Sequence, residues 1–493
     1  MSGAENLSTT VDAAGAPVIG WTSWSPTAFA RAAHEQKLVF LWIAVRWAAA
    51  SRAMETDALA DSAVIDLVNR RFIAVKVDSD ERPDINERYN LGGWPTTAIL
   101  TDDGEVLTGG TSFSRDALLG LLGRSLDAVA ERGDAIRAKA KEIVRARHER
   151  PKGPGLDSSA EPDRAAVSWM REQALEQVDH EYGGFVVGPA EAGPHEESGA
   201  KFLHVPVLQF LLDLSRASDD SEAATALTMS LDAMGEGALR DPRDGGFFRY
   251  TGGRDWSAPC PDKTLEDNAA LLGLYTETAA TFGRRDYVEI ARDALRFVQP
   301  KVEAVDFATD AAADAVKACL AAAELLGDTS LRDVALTSFD RMMLNVYRPA
   351  HGVAHWYAGS PSVWGLLADQ VRASAAALAV HQVTGSPVFS MLAEELMRYA
   401  LRVMWDEDAG AFVDRAGTGD PDACGFLREP LRPMASNCEA ACVLMRLARL
   451  GDDRELAARA NRILGYFAGS YRAEGLLGAP YALAMLVSRP SDS

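Results

Sequence analysis

The stretch Leu38-Val39-Phe40-Leu41-Trp42-Ile43-Ala44-Val45 is apolar throughout and gives way to Arg46-Trp47-Ala48-Ala49-Ala50-Ser51-Arg52-Ala53-Met54-Glu55. A short apolar run rich in β-branched and aromatic residues suits a buried strand, and it falls far short of the roughly 20 residues of a membrane span. The alanine-rich stretch after it starts a helix. Outward from this pair, residues 71–78 and 95–110 repeat the strand character, the second folded back at Asp102-Asp103-Gly104, while 26–36, 51–70 and 114–129 have amphipathic spacing. The order β-α-β-α-β-β-α predicts a small mixed α/β sheet with helices on both faces, over residues 15–130.

Beyond it the chain changes character. Residues 130–148 read as a charged helix and 151–163 as a linker, a connecting segment over 131–162. From 163 to 490 almost every segment has helical spacing. Helices are expected near 163–178, 204–217, 221–237, 263–281, 285–298, 311–325, 329–345, 362–382, 387–404, 434–449, 453–468 and 476–487. Turn-rich loops with aromatic residues stand between some of them, at 179–185, 244–248 and 405–412. Helices in pairs predict two concentric rings, an all-α (α/α)6 toroid; an open helical solenoid is the architectural rival. A toroid buries its inner ring and leaves a pocket at one end.

Length and charge bound the function. A chain of 493 residues holds roughly two to three domains. Its 50 basic and 71 acidic residues give a net charge of -21, which argues against nucleic acid or an anionic membrane as the main partner. The first twenty residues are small and polar rather than basic and apolar, so a cytoplasmic protein is expected. The five cysteines are Cys260, Cys319, Cys424, Cys438 and Cys442, an odd number with none before position 260, which fits a reducing compartment without a disulfide framework.

A helix that follows a first buried strand is where thioredoxin-like proteins carry a Cys-x-x-Cys pair, the first thiolate held at the helix terminus. With no cysteine before Cys260, this domain cannot perform dithiol exchange. Met54-Glu55, then Asp78-Ser79-Asp80-Glu81-Arg82-Pro83-Asp84, then Gly92-Gly93-Trp94-Pro95 resemble the motifs of the spermatogenesis-associated family, which joins a thioredoxin-like domain to a helical toroid. The resemblance places Ala48 and Ser51 where the family has its two cysteines, and Pro95 where thioredoxin-like folds have a cis proline. It therefore implies a degenerate redox site at Ala48, Ser51 and Pro95. The acidic loop of Asp78, Asp80, Glu81 and Asp84, with Arg82 and Pro83 inside it, reads as salt-bridged rather than metal-binding.

The resemblance continues through Gly245-Gly246-Phe247-Phe248-Arg249-Tyr250, Arg254-Asp255-Trp256, Pro259 and Lys263 to Asp267-Asn268, with Lys201-Phe202 upstream. Cys260 stands where the family has histidine. Arg249, Arg254, Trp256, Asp262, Lys263 and Asp267 form the densest polar and aromatic group in the chain. Carboxyl groups beside a tryptophan and arginines suit a carbohydrate site, where one carboxyl gives a proton, another receives one, and an indole stacks on the ring. The alternative is a structural network that holds the loops together. Six-hairpin toroids, glycosidases and N-acylglucosamine 2-epimerase-like proteins among them, often handle sugars, and the epimerase type commonly uses histidine bases. His355-Trp356-Tyr357 lies where a pocket lip is expected; His204, His351 and His381 are weaker candidates. The expected site thus has Asp262, Asp267 and His355 as catalytic residues and Lys201, Arg249, Arg254, Trp256, Lys263, Asn268 and Trp356 binding substrate. No metal or cofactor is expected; a sugar, another small polar molecule or a protein is the expected partner. Cys438 and Cys442, spaced i,i+4 among apolar neighbours, read as core. The two function classes are a carbohydrate- or metabolite-processing enzyme and a non-catalytic binding or scaffold protein.

Overall fold

In the computed structural model, β1 (Leu38–Ala44) is buried at every residue because it has a neighbour on each edge and helices on each face. The structure describes residues 17–149, 161–186, 199–417 and 423–488. The chain divides into two units, Met1–Arg150 with Gly419–Glu429, and Pro151–Thr418 with Pro430–Ser493.

In the first unit, α1 (Pro26–Glu35) precedes β1, then come α2 (Ala49–Thr56), α3 (Ser62–Arg71), β2 (Phe72–Asp78), α4 (Pro83–Tyr89), β3 (Thr96–Leu100), β4 (Val106–Gly110) and α5 (Arg115–Glu149). The sheet order is β2-β1-β3-β4, with β1 and β2 parallel and β3 antiparallel to both β1 and β4. Alternate residues of β1 face opposite layers. Phe40, Trp42 and Ala44 pack with Met54, Val64 and Leu118, whereas Val39, Leu41 and Ile43 pack with Phe29, Ile85 and Tyr89. This is the thioredoxin-like arrangement, and the Trp94-Pro95 peptide is cis.

Three expectations change here. The segment 51–70 is two helices, because the Asp61 carboxylate accepts from the Ala63 amide at 2.9 Å and caps a new start. No boundary falls near 130: α5 continues to Glu149, since Gly133 costs a helix only about 1 kcal/mol and the next proline is Pro151. Nor is 163–490 one uninterrupted domain. Gly419–Glu429 belongs to the first unit, where Phe426 stacks on Tyr89 at 4.9 Å and Arg88 donates to the carbonyls of Phe426 and Glu429 at 2.9 and 2.7 Å.

The described residues of the second unit hold α6 (Ala166–Gln177), α7 (Val205–Ser218), α8 (Ser221–Glu236), α9 (Leu265–Phe282), α10 (Arg285–Val302) and α11 (Thr309–Leu326). They continue with α12 (Thr329–Val346), α13 (Leu367–Thr384), α14 (Pro387–Val403), α15 (Met434–Gly451), α16 (Arg454–Phe467) and α17 (Ala479–Ser488). Helices α7, α9, α11, α13, α15 and α17 pack each on the next, and α17 returns to α7. Each also carries one outer partner, from α6, α8, α10, α12, α14 and α16. Closure of the inner ring makes this an (α/α)6 toroid, since a solenoid never meets its own beginning. Alanine-rich inner helices such as α11 permit close approach, and Gly283, Gly327 and Gly385, with φ of 66, 64 and 68°, end α9, α11 and α13. Outer helices return the chain between inner ones, so the inner helices run parallel and their N-terminal ends share one end of the ring.

Candidate functional site

Much of the polar group expected to bind substrate serves to fasten loops to that end of the ring. Three loops share one construction. An aspartate, Asp179, Asp241 or Asp406, accepts through its backbone carbonyl from the amide of Gly183, Gly245 or Gly410, at 2.7, 3.1 and 2.8 Å. Its carboxylate takes amides of its own turn and pairs with one cation ahead of the next inner helix. The cations are Lys201, 2.8 Å from Asp179, Lys263, 2.5 Å from Asp241, and Arg432, which bonds Asp406. In each aspartate burial opposes ionisation, but these bonds outweigh it and the carboxyl is held below its ordinary range.

A second clamp repeats from helix to helix. The Asn268 carboxamide accepts from the Phe247 amide at 2.6 Å and donates to the carbonyls of Phe247 and Thr264 at 3.0 and 2.9 Å. Asn437 does the same to Phe412 and Pro433, and Gln370 to Val353 and Leu366. The substrate-binding expectation is therefore corrected for Lys201, Lys263 and Asn268. Lys201 has no exposed side-chain surface, and Asn268 has both donors and its acceptor engaged.

Trp256 is corrected too. It is 2% exposed and its indole N–H donates to the Tyr182 carbonyl at 2.8 Å, so no face is open for a sugar ring. Arg254 brackets Asp179 at 2.8 and 3.0 Å. Asp267 exchanges bonds with Thr264, the N-cap of α9: the Thr264 hydroxyl donates to the carboxylate at 2.7 Å and accepts from the Asp267 amide at 3.1 Å. Arg249 lies 3.6 Å from Asp267, whose carboxyl is raised by burial. The Asp262 carbonyl accepts from the Arg249 amide, and its carboxylate is 3.6 Å from the Cys260 sulfur. Burial pushes the Cys260 thiol up, and pushes Cys442 up to about 12, so neither is an activated thiolate. His204 is driven down to about 4 by burial.

His355 and Trp356 lie on the strand Gly352–Tyr357. Trp356 is half-buried, opposite Ala308 and Ser362. His355 is 3% exposed, and its Nδ1 is 2.9 Å from Asp369, itself fully buried, and 3.8 Å from Asp310. The donor atoms of these three residues lie within 4.8 Å of one another, a set with the chemistry to hold a cation. Arg372, 3.5 Å from Asp310, already answers part of that negative charge.

The ring axis is lined by residues that sequence reading missed. Arg372 of α13 reaches Glu266 of α9 at 2.8 Å, Asp314 of α11 at 3.4 Å and Glu439 of α15 at 3.4 Å. Further along, Gln209 donates to Asp213 and Glu277 at 3.2 Å, and Arg216 pairs with Glu277 at 2.9 Å. Between these groups on the same faces stand small residues, Ala270 and Gly273 on α9 and Ala375 and Ala379 on α13, each partly open to solvent although its helix is in the inner ring. Burial raises the Glu439 carboxyl, Asp314 adds to the rise and Arg372 opposes it. For Asp314 burial acts in the same direction, but Lys317 and Arg372 outweigh it and the carboxyl is lowered. The signal available in the sequence was charge recurring at three- to four-residue spacing inside otherwise apolar helices, as in Asp310, Asp314 and Lys317.

The three residues expected at a degenerate redox site lie around the start of α2 and the β3 edge. Ala48 is the N-cap of α2 and Ser51 is buried inside that helix, near the cis Pro95 segment, where Trp94 meets Trp47 edge to face at 5.6 Å. In the acidic loop Arg82 binds Asp84 in a two-pronged contact at 2.9 and 3.0 Å, and Trp47 donates to Asp80 at 3.0 Å.

A thioredoxin-like domain without its cysteines, joined to an (α/α)6 toroid, defines the class. Residues 5–149 match a family called Thioredox_DsbH, described as a protein of unknown function, DUF255. Human spermatogenesis-associated protein 20 is 27% identical over 299 residues, which cover 57% of this chain and 37% of that one. An uncharacterized protein of Caenorhabditis elegans is 27% identical over 277 residues, 52% of this chain and 36% of that one. The chain is similar to these proteins, with Ala48 and Ser51 at the positions that the resemblance gives to the cysteines; its matched part spans little more than a third of the length of these curated relatives. Among solved structures, cellobiose 2-epimerase from Bacillus thermoamylovorans B4167 and a D-mannose isomerase each superpose with a TM-score of 0.51 at 11% identity. They cover 61 and 62% of this chain and 86 and 85% of their own. At such identity the likeness shows the toroid fold. Among the described residues no helix is long and apolar enough to cross a membrane.

Proposed function

We propose that the helical unit is an enzyme performing acid–base chemistry on a sugar or similarly polar small molecule held on the axis of the ring. One observation carries this reading: Arg372 stands between Asp314 and Glu439, 3.4 Å from each, with one carboxyl lowered and the other raised. Two carboxyl groups with separated proton affinities beside a fixed cation supply an ionised acceptor and a protonated donor in one place. Asp314 is the base, Glu439 the acid, and Arg372 holds the substrate's developing negative charge. Gln209, Asp213 and Glu277 offer further partners for hydroxyl groups. Asp369 orients His355, a second proton carrier beside Asp310. The sugar-handling neighbours of the same fold support the substrate class.

Asp262, Asp267, Arg249, Arg254 and Trp356 support the loops around this end of the ring. The fastening of Lys201, Lys263, Asn268 and Trp256 favours a second reading, a non-catalytic binding protein.

The test follows aldoses and ketoses, and disaccharides built from them, by proton NMR in deuterated buffer with the purified chain. Isomerisation, epimerisation, hydrolysis or solvent exchange at a sugar carbon is expected, falling about 100-fold or more in Glu439→Gln without loss of folding. Sugar binding without turnover in the wild type would favour the second reading; neither binding nor turnover would overturn the carbohydrate proposal.

A further inference from the structure

β1 and β2 run parallel, and open α/β sheets present ligands beyond the carboxyl ends of such strands. There, together with residues 21–23 and α2, they enclose a pocket of about 350 Å³, room enough for a small metabolite. The position matching the second redox cysteine, Ser51, lines it. Ser51 is 2% exposed; its oxygen takes only a long 3.5 Å contact from the Val45 amide, and its hydroxyl hydrogen has no acceptor among the described residues. Trp42, also in the lining and 1% exposed, has an indole N–H without a partner there.

The charges of the lining come in both signs. Asp78 and Glu81 share Arg46, at 3.4 and 3.5 Å, and that arginine side chain is 83% exposed. So loose a pair neutralises little. Burial, then the charge of Asp78, pushes the Glu81 carboxyl up, which marks a place short of positive charge. On the other hand, Lys76 lies over the Trp42 ring with its ammonium 2.6 Å from Glu55, and Glu55 is half-exposed. A neutral polyol would desolvate Asp78 and Glu81 without offering them a cation. A molecule with an ammonium and a carboxylate satisfies both kinds of group.

We infer that this pocket is a binding site for a small zwitterion, a free α-amino acid, with its ammonium at Asp78 and Glu81 and its carboxylate at Lys76 and the Ser51 hydroxyl. The site has exchanged redox chemistry for ligand recognition. The inference is independent of the reading given for the helical unit.

Isothermal titration of the full chain with the common free L-amino acids, their N-acetyl derivatives and their amides tests it. At least one free amino acid is expected to bind saturably at one site. Capping either end should weaken it about tenfold or more, as should Glu81→Gln, since a charge-assisted bond is lost in each. Ser51→Ala provides a second variant if Glu81→Gln disturbs folding, and Glu439→Gln in the helical unit should leave affinity unchanged. The inference is overturned by the absence of saturable binding up to millimolar concentrations, by equal binding of the capped forms, or by loss of affinity in Glu439→Gln with none in Glu81→Gln and Ser51→Ala.

Discussion

Replacing Asn268 by alanine removes three hydrogen bonds in a place that water does not reach and leaves the Phe247 amide and carbonyl unpaired. The expected cost is about 2–4 kcal/mol, measured by urea unfolding, and Asn437→Ala should cost about the same because it clamps Phe412 in the same way. A variant that kept full stability would remove the clamp from the account of this residue. A sequence conceals the partner of a polar side chain at this scale. Asp-Asn in the first turn of an apolar helix announces polar chemistry, and the resemblance aligns it with a family motif. Neither tells that the carboxamide turns back to a loop residue 21 positions earlier rather than outward to a ligand. Trp256 is a like case: an indole in a polar loop reads as a platform until its ring is found buried beside Lys201. His355 differs, since its partner Asp369 lies 14 positions later on another element and no spacing rule joins them.

Helices were the more legible elements. Helical periodicity and turns are local features, and α7 to α17 fall close to where they are expected, except that 362–364 belongs to the strand Pro361–Trp364 and α13 begins only at Leu367. The attachment of Gly419–Glu429 to the first unit was not legible, because it depends on Phe426 finding Tyr89 across more than 300 residues. The loops between elements carry a pH prediction. Asp179, Asp241 and Asp406 have carboxyls lowered in the folded state, so each adds stability above its ordinary value of 3.8 that is lost as pH falls through the lowered one. Urea midpoints of the helical unit should therefore fall steeply below about pH 4, and Asp241→Asn should lessen that dependence while lowering stability at neutral pH. A midpoint that stays level between about pH 5 and 3 would mean that these loops do not limit acid stability.

At the scale of the whole toroid, the groups around Arg372 come from positions 266 to 439, which is why no motif revealed them; only closure of the ring brings α9, α11, α13 and α15 to one axis. The cluster sets four carboxyls around one arginine, whose desolvation costs free energy that apolar packing would not. It has its own linkage, opposite in sign to that of the loops. The Glu439 carboxyl is raised from its ordinary value of 4.5, so its contribution is fullest below that value and is lost as pH rises through the raised one. Arg372→Met takes away the cation that Asp310, Asp314, Glu266 and Glu439 share, and should cost about 2–4 kcal/mol at neutral pH, less than a wholly buried pair because solvent reaches the axis. Without Arg372 the Asp314 and Glu439 carboxyls lose a cation that lowers them both, so protonation should recover much of that loss near about pH 5, before the loop aspartates begin to titrate. Recovery in Arg372→Met on mild acidification, together with loss of any sugar turnover, would tie the same charges to both stability and chemistry. A loss that is independent of pH would show instead that Arg372 acts through the packing of its aliphatic stem, and would leave Asp314 and Glu439 without the cation on which their assigned roles depend.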